Sequence, residues 1–222
     1  MSITLLGDIH GDYNVLAKAI AKAEEWGSVA LIQLGDFGLF PGNEKYFYEV
    51  TKDASIPVYF VDGNHDDCSR WMNFDNVGKV FGNANLHYVP RGTVMELDGR
   101  TIAFMGGAAS IDKKWRLKDG AHWDKNEEVT QEQVDILLKN ADGKKIDMFM
   151  THCPPHSMIT EHFDPMNKLF FDVGLDWHDP SQTFIEEAWH KMGTSEVYSG
   201  HMHRYVETAV ATILDINQIM EI

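Results

Sequence analysis

Five short motifs place side chains that can bind metal ions along this chain. They are Asp8-Ile9-His10, Gly35-Asp36, Gly63-Asn64-His65-Asp66, Thr151-His152 and Gly200-His201-Met202-His203. Each follows an apolar run that predicts a buried strand, and ligands of open α/β sheets bind at the carboxyl ends of strands. These donors suit Zn, Fe, Mn or Ni better than Ca. The set is large enough for two divalent ions, and two ions held together indicate hydrolysis of a phosphate ester.

The spacing within the motifs suggests how the ligands are presented. Asp8 and His10, like His201 and His203, are two residues apart, and such side chains share one side of an extended chain. Asp36 could bridge two ions, and Asn64 offers a neutral carbonyl oxygen. A single Asp or His at a strand end is more often a cap or a surface residue, so the prediction rests on all five motifs together. Four glycines, Gly7, Gly35, Gly63 and Gly200, each come directly before a candidate ligand and let metal or substrate approach the backbone closely.

Periodicity predicts alternating strands and helices along the chain. Asp98-Gly99 predicts a hairpin turn, and a capping pattern starts the third helix at Thr130. The segment 106–128 has no clear period and is predicted to be a long loop. The alternation favours a sheet packed between helices. Predicted strands are 3–6, 29–34, 58–61, 86–89, 93–97, 101–105, 147–150, 197–198, 205–211 and 212–216, and predicted helices are 13–26, 44–52, 130–138 and 181–191.

Composition limits the classes of function. The 222 residues suit one domain spanning 1–222. A formal net charge of −15 argues against extended nucleic acid as a partner and is compatible with a small anionic phosphoester substrate. No apolar run is long enough to span a membrane, and the first residues lack the basic region of a signal peptide. Two cysteines favour a reducing compartment, so a cytoplasmic location is expected, and Cys153 should pack behind His152.

The densest basic cluster of this acidic chain lies between residues 113 and 118. Arg116 or Lys113 could contact a substrate phosphate, and Trp115 or Trp123 could stack on a base. The competing interpretation is a solvated loop, and the sequence gives both equal weight. Among the remaining histidines, His122 and His156 are candidates for contacts with the ligand side chains.

The five motifs together resemble the calcineurin-like metallophosphoesterases, and the stretch 105–116 is similar to smaller bacterial and phage members. The resemblance implies an α/β fold, a four-layer αββα sandwich of two mixed β-sheets flanked by helices. Phe37-Gly38-Leu39 stands where the larger phosphatase branch has a further Asp and Arg-Gly, which argues against a protein Ser/Thr phosphatase. The resemblance also implies roles for nine residues: Asp8, His10 and His203 hold one ion, Asn64, His152 and His201 hold the other, Asp36 bridges both, His65 is catalytic, and Asp66 orients it.

The expected activity is that of a metal-dependent phosphodiesterase acting on small phosphodiesters or cyclic nucleotides. A hydroxide shared by two ions, roughly 3.5–4 Å apart, would attack phosphorus, and His65 would protonate or stabilise the leaving oxygen. His65 could instead only orient the ligands. A phosphomonoesterase or protein phosphatase and a non-catalytic scaffold with the same fold are the alternatives. Substrate, metal identity and oligomeric state are left open by the sequence.

Overall fold

Two six-stranded β-sheets form the centre of the molecule. The computed structural model describes residues 2–82, 84–163, 168 and 170–222. The first sheet contains β1 (Thr4–Leu6), β2 (Leu31–Gln33), β3 (Val58–Phe60), β4 (Gly78–Lys79), β5 (Leu86–Tyr88) and β12 (Ile219–Glu221). The second contains β6 (Val94–Leu97), β7 (Arg100–Met105), β8 (Met148–Thr151), β9 (Val197–Ser199), β10 (Val206–Glu207) and β11 (Ala211–Ile213).

Both sheets have the same mixed design. The order of the first is β12-β1-β2-β3-β5-β4, and that of the second is β10-β11-β9-β8-β7-β6. The four central strands of each sheet pair in parallel, and the strand at either edge pairs antiparallel. Parallel strands point their carboxyl ends to one edge of the sheet, so the loops that follow them gather there.

An apolar layer lies between the two sheets. Alternate residues of a strand point to opposite faces, so Leu5 and Ile32 join Phe104 and Met150 of the other sheet in one buried cluster. The neighbouring residues Leu6 and Leu31 instead pack in a second cluster with helical residues. The strands are therefore apolar on both faces, which explains why they appear in the sequence as continuous apolar runs.

Helices cover the outer face of each sheet. The helices of the described residues are α1 (Tyr13–Trp26), α2 (Glu44–Thr51), α3 (Cys68–Trp71), α4 (Lys113–Asp119), α5 (Gln131–Ala141), α6 (His156–His162) and α7 (Pro180–Met192). Helix α1 packs its apolar stripe on the first sheet, and α5 and α7 pack on the second. The layers run helix, sheet, sheet, helix, which confirms the predicted αββα sandwich of two mixed sheets.

Most predicted elements exist, with small changes at their ends, but the predicted strand 205–211 contains only β10 and the first residue of β11. The side chain of Asp12 caps α1 and Gly27 ends it in the left-handed conformation, while Thr130 and Gln133 form the capping box of α5. Asp98 and Gly99 both have positive φ in the hairpin turn between β6 and β7. The predicted long loop 106–128 was wrong in one respect, because it contains α4. The short elements α3, α6, β4 and β12 were not predicted.

Two expectations about membrane segments and cysteines can be compared with the structure. Within the described part of the chain, no helix is long and apolar enough to cross a membrane. Cys68 and Cys153 are both buried and are not joined in a disulfide. The Cys153 thiol donates to the Asp179 carboxylate at 3.2 Å, and the ligand atoms of Cys153, Asp179 and His201 lie within 4.8 Å of one another. The expected position of Cys153 behind His152 stays a prediction.

Candidate functional site

The five motifs come together at one edge of the two sheets. Asp8 and His10 follow β1, Asp36 follows β2, and Asn64 follows β3, all in the first sheet. His152 directly follows β8, and the Gly200–His203 loop follows β9, both in the second sheet. Because the sheets face each other, loops from both meet above the apolar layer, and neither sheet supplies the whole set.

One group of donor atoms combines Asp8, His10, Asp36 and His203, whose ligand atoms all lie within 4.8 Å of one another. The Nε2 atoms of His10 and His203 are 2.9 Å apart. His203 Nε2 lies 3.1 Å from Asp8 Oδ2, and His10 Nε2 lies 3.8 Å from Asp36 Oδ2. Two carboxylates and two imidazoles therefore converge on one small volume.

A second group combines Asp36, His152 and His201, again within 4.8 Å. His152 Nε2 lies 3.4 Å from Asp36 Oδ1 and 3.1 Å from Asn64 Oδ1. The Asp36 carboxylate thus presents Oδ2 to the first group and Oδ1 to the second. His201 and His203 also divide between the groups, although they are only two residues apart.

The backbone conformation explains how residues so close in sequence reach different groups. His10, Asp36, His201 and His203 have φ values of 44°, 51°, 71° and 48°. Positive φ is uncommon for residues other than glycine, and such strain clusters at functional sites. The extended geometry assumed for the two pairs of ligands was therefore wrong, because sharp turns aim these side chains instead.

The glycines of the motifs leave room for neighbouring site residues. A Cβ atom on Gly63 would clash with the Asp36 carboxylate, and one on Gly200 would clash with the Asp8 carboxylate. The sequence had suggested close approach of metal or substrate at these glycines. In the structure the atoms that approach are the acidic side chains themselves, so each glycine allows two motifs to sit against each other.

The electrostatic state of the site fits metal ligands. Asp8 and Asp36 are almost completely buried, and among the described residues their ion-pair partners are histidines. Burial, which raises the pKa of each carboxyl, is outweighed by the neighbouring histidines, so both pKa values are lowered. Buried carboxylates need compensating positive charge, and divalent ions would supply it.

The pKa values of the two histidines in the second group are shifted in opposite directions. Burial and the neighbouring His152 lower the pKa of His201 to about 3, which keeps its ring neutral. Burial also lowers the pKa of His152, but the Asp36 and Asp8 carboxylates outweigh it and the pKa is raised. The Nδ1 of His152 lies 2.8 Å from the Leu34 carbonyl oxygen. A proton on Nδ1 leaves the Nε2 lone pair directed into the site, as a metal ligand requires.

His65 lies at the open side of these groups. Its ring is partly buried, and its centroid lies 5.1 Å from that of His10. Its backbone N–H donates to Asp36 Oδ1 at 2.7 Å, so the backbone faces the ligands while the ring lines a cavity of about 360 Å³. The other described lining residues are His10, Gly38, Phe40, Arg116, Ala121 and His122.

Asp66, which is expected to orient His65, binds backbone N–H groups of the surrounding loops. The Asp66 carboxylate is fully buried and accepts hydrogen bonds from the backbone N–H groups of Gly63, Phe37 and Gly38, at 2.8, 3.1 and 2.7 Å. Asp66 therefore joins the β2 and β3 loops. Its hydrogen bonds fix the backbone on which His65 and Asp36 are carried, and they leave the His65 ring to other neighbours.

Only one of the three predicted substrate contacts lines the cavity. Arg116 does, with its side chain buried. The Lys113 ammonium lies 3.9 Å from the centroid of the Trp123 ring. The Trp115 ring packs against Phe170 and Phe171 at 5.1 and 5.2 Å. Lys113 and Trp115 are not among the described residues of the cavity wall, and their contact with substrate stays a prediction.

Several residues of the site were missed or only weakly indicated by the sequence. His122 lines the cavity, with its Nε2 3.2 Å from the Asp66 carbonyl oxygen. His156 instead lies 3.4 Å from Gln182 Oε1. Phe40 gives the cavity an apolar wall, and Ser110 and Glu127 lie beneath Asn64. The last two belong to a segment without periodicity, where pattern alone gives no position.

Comparisons with known proteins identify the class. The model of the calcineurin-like phosphoesterase family matches residues 1–205, and the chain therefore belongs to that family, whose members hydrolyse phosphoric ester bonds with the help of metal ions. A search of curated proteins finds no significant match.

Three solved structures share the fold at low sequence identity. The protein TT1561 from Thermus thermophilus is 13% identical with a TM-score of 0.61, over 97% of this chain and 89% of that one. A phosphopantetheinyl hydrolase from Mycobacterium tuberculosis is 14% identical with a TM-score of 0.52, over 97% and 90%. A dimetal phosphatase from Danio rerio is 12% identical with a TM-score of 0.51, over 98% and 88%.

Proposed function

We propose that this enzyme is a dinuclear metallophosphodiesterase that hydrolyses small phosphodiesters, with cyclic nucleotides among the candidate substrates. The observation that carries the proposal is the shared position of Asp36, which belongs to both groups of donor atoms. A carboxylate with one oxygen toward each group is suited to bridge two ions. Dinuclear sites of this kind are suited to the displacement of one oxygen by another at phosphorus.

The ligands divide into two sets around Asp36. Asp8, His10 and His203 would hold one ion, and Asn64, His152 and His201 would hold the other. The nitrogen and oxygen donors suit Mn, Fe, Zn or Ni. When bound, two such ions supply Lewis acidity and lower the pKa of a water molecule toward neutrality.

His65 is the residue proposed to act on the leaving group. Burial lowers the pKa of His65, and the Arg116 guanidinium lowers it further, against the raising effect of Asp36. A neutral imidazole keeps one N–H, which can donate a hydrogen bond to the developing charge on the leaving oxygen. Its ring lies on the cavity wall beside His10, which belongs to the first group of donor atoms.

The side chains of the cavity beyond the metal ligands support the proposed preference for diesters over monoesters. Among its described lining residues, Arg116 is the one with a permanent positive charge, and Asp112 and Glu127 lie 3.8 and 3.9 Å from it. A diester carries one negative charge, whereas a monoester carries nearly two at neutral pH. Phe40 and Ala121 offer apolar surface for the second ester group. A site with one partly compensated cation and an apolar wall suits the diester.

The test is a substrate panel on protein loaded with Mn²⁺. Bis(4-nitrophenyl) phosphate, 4-nitrophenyl phosphate and 2′,3′- and 3′,5′-cyclic nucleotides are compared by kcat/KM, with metal content measured on the same sample. We expect at least one diester to exceed the monoester by about tenfold or more, and EDTA to abolish both activities. Preference for the monoester would make the enzyme a phosphomonoesterase. Two bound ions without hydrolysis of any ester would indicate a non-catalytic scaffold.

A further inference from the structure

The loop between β7 and α4 is held beneath Asn64 by one backbone carbonyl group and two buried carboxylates. Gly107 N–H donates to the Asp62 carbonyl oxygen at 2.8 Å, and Ala109 N–H donates to the Asp179 carboxylate at 2.9 Å. Ser110 N–H donates to Glu127 Oε1 at 2.8 Å. Ser110 and Glu127 are 5% and 1% exposed. This loop therefore has a fixed position, and Ser110 is the residue that contacts a predicted metal ligand.

The Ser110 hydroxyl takes part in three hydrogen bonds, and the chemistry of its partners fixes which atom donates in each. Its oxygen lies 2.6 Å from Glu127 Oε2, 2.7 Å from the Arg116 Nη1 and 3.1 Å from Asn64 Nδ2. An ionised carboxylate only accepts and a guanidinium only donates. The single hydroxyl proton is therefore donated to Glu127, and both lone pairs of the oxygen accept, one from Arg116 and one from Asn64.

This direction determines which way the Asn64 carboxamide faces. An amide has an oxygen on one side and an NH2 group on the other, and the two are close in shape. The Ser110 oxygen can only accept from Asn64, so the NH2 group faces Ser110. The Oδ1 atom is then turned toward His152, at 3.1 Å from its Nε2. A reversed amide would present N–H groups to the second set of ligands, and an N–H group cannot bind a cation.

Arg116 holds the same unit from the cavity side. Its Nη1 also donates to the Asn64 carbonyl oxygen at 3.2 Å, and its Nε donates to the His122 carbonyl oxygen at 2.7 Å. The Arg116 guanidinium therefore donates hydrogen bonds to both Asn64 and Ser110 and also lines the cavity. These contacts of Arg116 hold the loop after β3 in place from the cavity side.

We propose that Ser110 and Glu127 are positioning residues that fix the Asn64 carboxamide with its oxygen toward the second metal ion. The inference rests on the proposed role of Asn64 as a ligand. Outer partners of metal ligands orient those ligands, and their loss weakens metal affinity or activity by about 10–100-fold. A residue that merely anchored the loop would affect folding stability and both ions alike.

The experiment is a calorimetric titration of metal-free protein with Mn²⁺, which needs no turnover. In Ser110→Ala we expect the dissociation constant of one of the two ions to rise about 10–100-fold, with the other changed less than about twofold. Ser28→Ala is the matched control, because Ser28 is also buried and hydrogen-bonded, to Thr4 and Ser2. Ser110→Ala with wild-type affinity for both ions, or an equal loss in Ser28→Ala, overturns the proposal.

A double-mutant cycle separates positioning from anchoring. In Asn64→Asp the carboxylate presents an oxygen in either orientation, so adding Ser110→Ala should cause little further loss of affinity. An undiminished effect in that background overturns the proposal. Glu127→Gln leaves one acceptor oxygen where the Ser110 N–H and hydroxyl now use two, and with that oxygen on the N–H the NH2 group faces the hydroxyl. This variant should therefore weaken the same ion, and it takes the place of Ser110→Ala if that variant does not fold. If the wild-type protein binds two ions but cleaves no diester, the proposed function is contradicted. The proposal for Ser110 is still tested in that case, because the titration measures metal binding and needs no turnover.

Discussion

The Nε2 atoms of His10 and His203 lie 2.9 Å apart, although 193 residues separate them in the chain. His10 is carried by the loop after β1 of the first sheet, and His203 by the loop after β9 of the second. Both residues have positive φ. At this distance at most one of the two nitrogens can carry a proton directed at the other, so at least one Nε2 lone pair faces the space between them. The apolar layer that sets the distance between the sheets therefore also sets the geometry of the site.

Asp36 is the residue whose loss should affect both groups of ligands. We expect Asp36→Asn to reduce bound Mn²⁺ from two ions per chain to one or none, because an amide oxygen cannot serve two cations as a carboxylate does. We expect kcat/KM to fall by about 100-fold or more as a result. Metal analysis after gel filtration and diesterase assays measure the two effects.

Asp119→Asn is the control for charge, since Asp119 is exposed at the end of α4. This variant should retain both ions and full activity. If Asp36→Asn also retained two tightly bound ions, Asp36 would not be the bridging ligand.

The general architecture was predictable because its signals are local. Buried parallel strands appear as apolar runs, such as that ending at Leu6, and α1 carries both a cap at Asp12 and an apolar stripe. The edge strand β12 was missed because Ile219–Glu221 is short and partly exposed, so it lacks a continuous apolar pattern. Its place is determined by pairing with β1, which is a property of the assembled sheet.

The ligand residues were predictable by type and position but not by conformation. Their order along the chain indicated strand ends, and parallel strands end at one edge. The positive φ of His201, by contrast, depends on tertiary packing, because Gly200 must admit the Asp8 carboxylate while the His201 N–H donates to it at 3.0 Å. The position of Trp115 was not predictable, because a basic and aromatic segment does not indicate which face of α4 each residue occupies.

His65 should be needed for turnover and not for metal binding. We expect His65→Ala to lower kcat by about 100- to 10,000-fold while both ions remain, because the ring lines the cavity and only the backbone N–H contacts Asp36. The loss should be largest for substrates with poor leaving groups, since a hydrogen bond to the leaving oxygen matters most there.

The matched control for this variant is His190→Ala. His190 is an exposed histidine of α7 that pairs with Glu186 at 3.0 Å, and its removal should leave kcat and metal content unchanged. Parallel loss of metal and activity in His65→Ala would instead show that His65 supports the ligands.

Asp124 links the segment after α4 to the helix that follows the His65 motif, and this link should depend on pH. Its carboxylate accepts from Ser69 N–H and Oγ at 2.5 and 2.9 Å and from Asn126 N–H at 2.9 Å. Burial, which raises the pKa of Asp124, is outweighed by these hydrogen bonds, so its pKa lies below the ordinary value of 3.8. The folded state favours the ionised carboxylate of Asp124 more than the unfolded state does. Its contribution to the free energy of unfolding is therefore full above pH 3.8 and is lost as the pH falls through the lowered pKa.

We therefore expect Asp124→Asn to lower the free energy of unfolding by about 1–2 kcal/mol at pH 7, with a difference from wild type that shrinks as the pH approaches 3. Urea denaturation of metal-free protein, followed by circular dichroism between pH 3 and 7, measures this difference. Asp53→Asn, at an exposed position, should show no such trend. A deficit in Asp124→Asn that stayed constant down to pH 3 would mean that side-chain shape, rather than the ionised carboxylate, holds Ser69 and Asn126 together.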